Sequence, residues 1–170
     1  IASMVRANSV IHRAAGENPK YNGMGTTCVG AFFVEEGVMI AHVGDSRCYR
    51  LRGDELRQMT EDHSLANEYI RSKILRPEDL PSFPYKNVIT RAIGLQDTVE
   101  VETNFYEHAD GDIYLLCSDG LSDPVKEPQM REILMKYSND LPRACRELII
   151  AANTNGGPDN VTAVLAKTIY

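Results

Sequence analysis

Two acidic turns, each joined to an apolar run of strand length, place the strongest limits on how this chain can fold. The run Ile113–Cys117 ends in Ser118-Asp119-Gly120, and Gly157-Pro158-Asp159-Asn160 leads into the run at 161–165. Short apolar runs bounded by turn residues are typical of strands buried on both faces. Carboxylates presented at such strand ends suit a hard divalent cation. A third turn, Val43-Gly44-Asp45-Ser46, has the same character, so the three turns predict a metal site assembled from distant parts of the sequence.

The composition favours a single soluble domain covering residues 1–170. A chain of 170 residues with 43% hydrophobic and 25% charged residues can bury one substantial core. Its net charge of -6 disfavours a nucleic-acid partner, and it contains no apolar stretch of the ~18 residues that a membrane span needs. The four cysteines are widely spaced without a Cys-x-x-Cys pair, which disfavours a zinc knuckle. They are expected to be buried thiols in a reducing compartment, so a cytoplasmic location is expected.

Hydrophobic periodicity predicts an α+β fold with mostly antiparallel strands and segregated helices. Strands are predicted at residues 28–34, 38–43, 47–51, 55–59, 99–107, 112–117 and 160–170, with the first four forming a meander. Helices are predicted at residues 1–15, from 65 onward behind the capping residues Asp62-His63-Ser64, and at 127–137 and 141–153. The proline-containing stretch that follows the second helix is expected to be exposed.

Each acidic residue has a local interpretation beside the metal-binding one. Asp119 and Asp159 could be turn aspartates that accept hydrogen bonds from their own backbone, and Asp45 could serve a hairpin turn. Asp123 is either a further ligand or the N-cap of the next helix. Asn160 could cap its turn or orient a metal-bound water.

Six segments in a fixed order carry a resemblance to a known family. They are Gly23-Met24-Gly25-Thr26-Thr27, His42-Val43-Gly44-Asp45-Ser46-Arg47, Glu61-Asp62-His63-Ser64, Thr90-Arg91-Ala92-Ile93-Gly94, Cys117-Ser118-Asp119-Gly120-Leu121-Ser122-Asp123 and Gly157-Pro158-Asp159-Asn160-Val161-Thr162. Together they resemble the metal-dependent protein phosphatases of type 2C, the PPM family, and are most similar to its bacterial members.

The resemblance implies an antiparallel β-sandwich flanked by helices, in α-β-β-α layers, with two manganese or magnesium ions at one end. Asp119 and Asp159 match two ligands of one core metal. Asp45 matches the aspartate of a third metal site, with Asp119 shared and Asp123 a further ligand. Residues 67–86 resemble the flap beside the active site.

The resemblance also implies the chemistry, which is hydrolysis of phosphoserine or phosphothreonine in proteins by a metal-activated water. All-oxygen ligands favour manganese or magnesium over zinc. Cys117 is then a core residue rather than a nucleophile. His63 is expected to lie at the start of a helix and not to act as a general acid. The expected partners are phosphorylated proteins, including a serine/threonine kinase and its substrates.

One part of the family pattern has no counterpart before Gly23. The phosphate-binding arginine and the Asp-Gly pair that bridges both metals are absent there, so the chain is expected to be N-terminally incomplete and to hold half of the metal cage. The first helix has no preceding cap, which fits either a missing upstream segment or a frayed first turn. A catalytically inactive phosphatase-like regulatory or binding domain is therefore the alternative function, and a cation-binding domain without phosphate chemistry is a third.

Overall fold

The computed structural model describes residues 1–169, and the chain divides into two compact units. The first unit comprises Ile1–Cys28, Ala41–Asp45 and Glu61–Thr103, and the second comprises Val29–Ile40, Ser46–Thr60 and Asn104–Tyr170. Tyr170, the end of the last predicted strand, lies outside the described residues.

The described residues form seven strands and five α-helices. The strands and four of the helices lie close to the predicted positions, whereas the short helix at 119–122 was not predicted. The strands are β1 Cys28–Val34, β2 Gly37–Val43, β3 Arg47–Arg52, β4 Glu55–Gln58, β5 Glu102–Tyr106, β6 Ile113–Cys117 and β7 Ala163–Lys167. The helices are α1 Ala2–Glu17, α2 Leu65–Arg71, α3 Asp119–Ser122, α4 Glu127–Lys136 and α5 Leu141–Thr154. Two 3₁₀ helices span Pro19–Tyr21 and Pro77–Ser82, the second inside the flap-like segment. Helix α2 begins at the predicted residue 65 and ends at Arg71.

The strands form two sheets rather than the predicted continuous meander. One sheet has the order β1-β2-β5, and the other has the order β4-β3-β6-β7. The strands β2 and β3 are consecutive in the chain yet belong to different sheets, so Gly44-Asp45-Ser46 is not a hairpin turn and that prediction was wrong. Alternation along a strand shows which side chains are buried but does not identify the neighbouring strand.

The core of the second unit confirms the layered α+β class. One buried cluster lies between strands of the two sheets and contains Val38, Ile40, Cys48, Met59 and Tyr114. A second cluster covers the other face of the four-stranded sheet with side chains from α3, α4 and α5, including Leu121, Met130, Leu134 and Leu148. Strand β6 contributes to both clusters, which confirms that the run Ile113–Cys117 is buried on both faces.

In the first unit, the buried side chain of Asn8 links helix α1 to the loop after Ile93. The Asn8 side chain is 1% exposed, accepts a hydrogen bond from the Gly94 amide at 2.7 Å and donates to the Gln96 carbonyl at 3.0 Å. A Cβ at Gly94 would lie 2.2 Å from Cγ2 of Ile11, so the helix packs directly on this backbone. A polar residue in an amphipathic helix pattern gives no sign of such a role.

The cysteines fit the predicted structural role. Cys48 and Cys117 are buried, Cys28 and Cys145 are half-buried, and all four are free thiols. Burial raises the pKa of the Cys48 thiol to about 12, so this group is not a nucleophile at neutral pH. No helix within residues 1–169 combines the length and the apolar character needed to cross a membrane.

Candidate metal centre

The two acidic turns lie side by side because β6 and β7 are antiparallel neighbours. Their register pairs Cys117 with Ala163, so the residues after β6 meet the residues before β7. Ser118 extends this pairing, since its amide donates to the Thr162 carbonyl at 3.2 Å and its Oγ accepts from the Thr162 amide at 3.1 Å. The same hydroxyl donates to the Asn160 carbonyl at 3.3 Å. Ser118 and Thr162 had no predicted role, although both residues stand next to the acidic turns in the sequence.

Gly120 sets how closely the two turns approach each other. A Cβ built at this position would lie 2.2 Å from the carbonyl oxygen of Asn160, well inside van der Waals contact. Gly120 is buried at the start of helix α3, and only a residue without a side chain fits there. The turn that carries Asp119 therefore rests on the turn that carries Asp159.

Each of these two aspartates uses one carboxylate oxygen locally. Oδ1 of Asp119 accepts from the Gly120 amide at 2.8 Å, and Oδ1 of Asp159 accepts from the Asn160 amide at 2.6 Å. This is the backbone bonding expected of turn aspartates. Within residues 1–169 these are the side-chain bonds of the two carboxylates, which leaves Oδ2 of each as a possible ligand. Asp119 is half-buried and Asp159 is exposed.

Asp123 is exposed and ends helix α3 instead of starting the next helix. Its amide donates to the Asp119 carbonyl at 2.8 Å, and it occupies the C-cap position. Helix α4 begins at Glu127 with Lys126 as its N-cap residue, so the N-cap interpretation of Asp123 was wrong. Its role as a further ligand stays a prediction.

Asp45 belongs to the first unit and is half-buried in the turn between β2 and β3. The preceding Gly44 has φ +103, a left-handed conformation that favours glycine, and a Cβ there would lie 2.4 Å from Cγ2 of Thr27. The turn therefore packs on the Gly23–Thr27 motif region through the backbone of Gly44. Its assignment to a third metal site stays a prediction.

A basic residue that had no predicted role, Arg47, lies next to the Asp119 turn. Arg47 pairs with Cys117 in the β3–β6 register, two residues before Asp119. Its guanidinium donates to the Tyr49 hydroxyl at 3.0 Å, and burial raises the pKa of that phenol above its ordinary value. The sequence feature that could have indicated a role for Arg47 is its position directly after the Gly44-Asp45-Ser46 turn.

Within residues 1–169, one group of three ligand-type side chains has its ligand atoms close enough together to hold a metal ion. His42, His63 and Glu102 each place one ligand atom within 4.8 Å of the others. None of the four predicted aspartates belongs to this group. His63 borders a polar pocket that is also lined by Asn67, Arg71 and Arg91.

The two-sheet α+β fold is similar to solved bacterial serine/threonine phosphatases, with TM-scores of 0.89 and 0.90. The protein phosphatase 2C family model matches residues 1–152, and the chain belongs to this family.

Individual relatives agree with the family match. The serine/threonine phosphatase stp of Listeria innocua is 45% identical over 146 residues, which are 86% of this chain and 58% of that protein. The crystal structure of the Mycobacterium tuberculosis serine/threonine phosphatase PstP/Ppp is 37% identical with a TM-score of 0.89, covering 96% of this chain and 68% of that one. A structure of the PstP catalytic domain with two manganese ions is 36% identical with a TM-score of 0.84, covering 96% and 67%. The chain thus spans less than two thirds of the Listeria relative.

Proposed function

We propose that the protein hydrolyses phosphoserine and phosphothreonine in proteins with the help of divalent cations. The observation that carries this proposal is the contact of the Asp119 and Asp159 turns across the ends of β6 and β7. Family membership supports the same activity, since relatives at 45% and 37% identity are named serine/threonine phosphatases.

Asp119 and Asp159 are the proposed ligands of one core metal ion. Their donor atoms are carboxylate oxygens, which suit manganese or magnesium better than zinc. The two-manganese structure of PstP supports the choice of metal. We further propose Asp45 as a ligand of a third ion, and Asp123 as a further ligand.

In such a site, Ser118 would position the two turns that carry the metal ligands. The Ser118 hydroxyl holds the backbones of both turns together through its bonds to Thr162 and Asn160, which would limit how far the turns must move when a cation binds. A bound divalent cation lowers the pKa of water and neutralises charge on a phosphoryl group. Cys117 is buried as a core residue, so its thiol is not a candidate nucleophile.

Phosphorylated proteins are the proposed substrates, and a serine/threonine kinase with its targets is the proposed biological partner. The names of the relatives support the first statement and leave the choice of kinase to experiment. We also propose a cytoplasmic location, which the free buried thiols of Cys48 and Cys117 support.

The direct test measures turnover of phosphoserine, phosphothreonine and phosphotyrosine peptides with and without Mn²⁺, using the protein expressed from its native gene. We expect Mn²⁺-dependent release of phosphate from the first two peptides. Asp119→Asn should reduce this turnover by at least about 100-fold, because a neutral amide binds a hard cation far less well than a carboxylate.

Asp140→Asn is the matched control for the loss of one negative charge in the same unit. Asp140 caps helix α5 by accepting from the Arg143 amide at 3.0 Å, and asparagine can make the same bond. Turnover of this variant should equal that of the unsubstituted protein. Full turnover by Asp119→Asn would refute the ligand role, and an unsubstituted protein that is inactive at every Mn²⁺ concentration would favour the inactive regulatory domain.

A further inference from the structure

The turn that carries Asp45 is held by a reciprocal pair of hydrogen bonds to His63. The His63 amide donates to the Gly44 carbonyl at 3.0 Å, and the Gly44 amide donates to Nδ1 of the His63 ring at 3.1 Å. Both polar groups of Gly44 are thus bound by one residue 19 positions later in the chain. His63 is 7% exposed and Gly44 is buried, so water does not readily replace these bonds.

These bonds define the protonation of the His63 ring. Because Nδ1 accepts a hydrogen bond, the ring proton of the neutral imidazole lies on Nε2, which faces Oε2 of Glu102 at 3.3 Å. Burial is the largest influence on the His63 pKa and lowers it, in agreement with a neutral ring. The carboxylate of Glu102 therefore orients the ring that in turn holds Gly44.

A second histidine fixes the plane of the His63 ring. The rings of His42 and His63 stack with their centroids 4.5 Å apart and their planes 20° apart. Nε2 of His42 lies 2.8 Å from the Glu61 carbonyl, an acceptor, so this nitrogen donates. Both His42 and His63 are buried, so turning either ring would break contacts that water does not readily replace.

His63 also lies close in sequence to the flap-like segment 67–86 and contacts the residues that follow it. The His63 carbonyl accepts from the Thr90 amide at 2.8 Å, just after this segment. Ser64 caps helix α2, just before it, by accepting from the Asn67 amide at 3.2 Å. A displacement of His63 would therefore reach both the Asp45 turn and the two ends of the flap-like segment.

The hydrogen bonds distinguish this cluster from a cation site. A metal ion on Nε2 of His63 would move the ring proton to Nδ1, where it would face the proton of the Gly44 amide. Metal binding by His42, His63 and Glu102 would therefore require the loss of the Gly44 bond. The arrangement fits two successive hydrogen bonds, in which the Gly44 amide donates to His63 and the His63 ring donates to Glu102.

From these contacts we propose that His63 is a positioning residue for Asp45, acting through the Gly44 amide and coupling that turn to the flap-like segment. The inference deepens the proposed function, because it rests on Asp45 as a metal ligand. It predicts that an acceptor at the Nδ1 position is required and that an imidazole as such is not.

Three substitutions separate these requirements. His63→Asn places an amide oxygen at the position of Nδ1, since both atoms are bonded to Cγ, and should preserve the bond from Gly44. His63→Gln places its amide near the position of Nε2, which keeps a donor for Glu102 and loses the acceptor for Gly44. His63→Phe keeps the ring that stacks on His42 and loses both polar atoms.

The first measurement needs no metal. In the unsubstituted protein, ¹⁵N-¹H correlation spectra should show His63 as the neutral Nε2–H tautomer, and the Gly44 amide should exchange slowly with deuterium. Exchange at Gly44 should stay slow in His63→Asn and become faster by about fivefold or more in His63→Gln and His63→Phe, as expected for the loss of one hydrogen bond. An Nδ1–H tautomer, or equal exchange in all three variants, would overturn the positioning role whether or not Asp45 binds a metal.

The second measurement titrates each protein with Mn²⁺ in a calorimeter, with Asp45→Asn as the reference for loss of the third site. His63→Gln and His63→Phe should weaken the same binding step that Asp45→Asn removes, by about fivefold, whereas His63→Asn should bind as the unsubstituted protein does. Unchanged Mn²⁺ binding in His63→Gln, when Asp45→Asn loses a step, would overturn the inference. If Asp45→Asn loses no step, the ligand assignment of Asp45 fails, and with it the claim that His63 serves a metal site.

Discussion

At the scale of single residues, the contact between the two acidic turns depends on the absent side chain of Gly120. The carbonyl of Asn160 occupies the space where a Cβ would stand. That carbonyl is part of the backbone, and it also accepts a hydrogen bond from the Ser118 hydroxyl. A side chain at position 120 must therefore push the Asp159 turn away from the Asp119 turn.

Gly120→Ala tests this dependence. We expect a loss of about 1–3 kcal/mol in the free energy of unfolding, because the added methyl overpacks a buried site, together with weaker Mn²⁺ binding. Thermal and urea unfolding measure the first effect, and calorimetric titration measures the second.

Gly16→Ala is the matched control for this substitution. Gly16 lies in helix α1, where an added Cβ would meet no atom within 4 Å, and alanine favours helix more than glycine does. Its stability should be unchanged or slightly higher. Equal behaviour of the two alanine variants would show that the close approach at Gly120 is not required.

At the scale of elements, the sheet of the second unit is fastened at the end opposite the acidic turns. Arg52 at the end of β3 donates two hydrogen bonds to Asp112, which directly precedes β6, at 2.8 and 2.7 Å. Asp112 is 1% exposed and also accepts from the Ala109 amide at 2.9 Å. Burial would raise the pKa of Asp112, but Arg52 and Ala109 outweigh it and the net pKa is lowered.

This lowered pKa predicts how stability changes with pH. A carboxyl whose native pKa is depressed contributes stability above its ordinary pKa of about 3.9, and the contribution is lost as the pH falls through the native pKa. Asp112→Asn should therefore be less stable than the unsubstituted protein at pH 7 by about 1–3 kcal/mol, and the difference should shrink toward pH 2. Urea unfolding at a series of pH values measures both quantities.

Asp54→Asn serves as the control for this prediction. Asp54 is 81% exposed and pairs with Arg131 at 3.4 Å, an ion pair that water and salt screen. Its substitution should change stability little at any pH. A pH dependence of Asp112→Asn that matches that of Asp54→Asn would show that the buried pair does not fasten the strands.

The elements were largely predictable from sequence, whereas their partners were not. The run Ile113–Cys117 forms a strand at the predicted position because a short apolar run between turn residues has few other solutions. The passage of the chain from one sheet to the other at Gly44 had no local signature, since a left-handed glycine fits several kinds of turn.

The candidate site divides in the same way. The sequence predicted that Asp119 and Asp159 share a site, and the structure places their turns in contact. The bond from Ser118 to Asn160 holds these two turns, and the bond from Gly44 to His63 holds the Asp45 turn. They join residues 42 and 19 positions apart. Residue type alone does not reveal such pairs, because serine and histidine are common in turns and helix starts.

At the scale of the whole molecule, the family match, the fold and the two acidic turns all favour a metal-dependent phosphatase. The family match over residues 1–152 and the layered α+β architecture agree, and the Asp119 and Asp159 turns lie within one compact unit. The central claim is that these two turns form a divalent-cation site.

Calorimetric titration with Mn²⁺ of the unsubstituted protein, Asp119→Asn, Asp159→Asn and Asp140→Asn tests that claim most directly. The account predicts that Asp119→Asn and Asp159→Asn each weaken Mn²⁺ binding by at least about tenfold, the lower end of what loss of a ligand's supporting group alone causes. Asp140→Asn should bind as the unsubstituted protein does. Equal Mn²⁺ affinity in all four proteins would contradict the account.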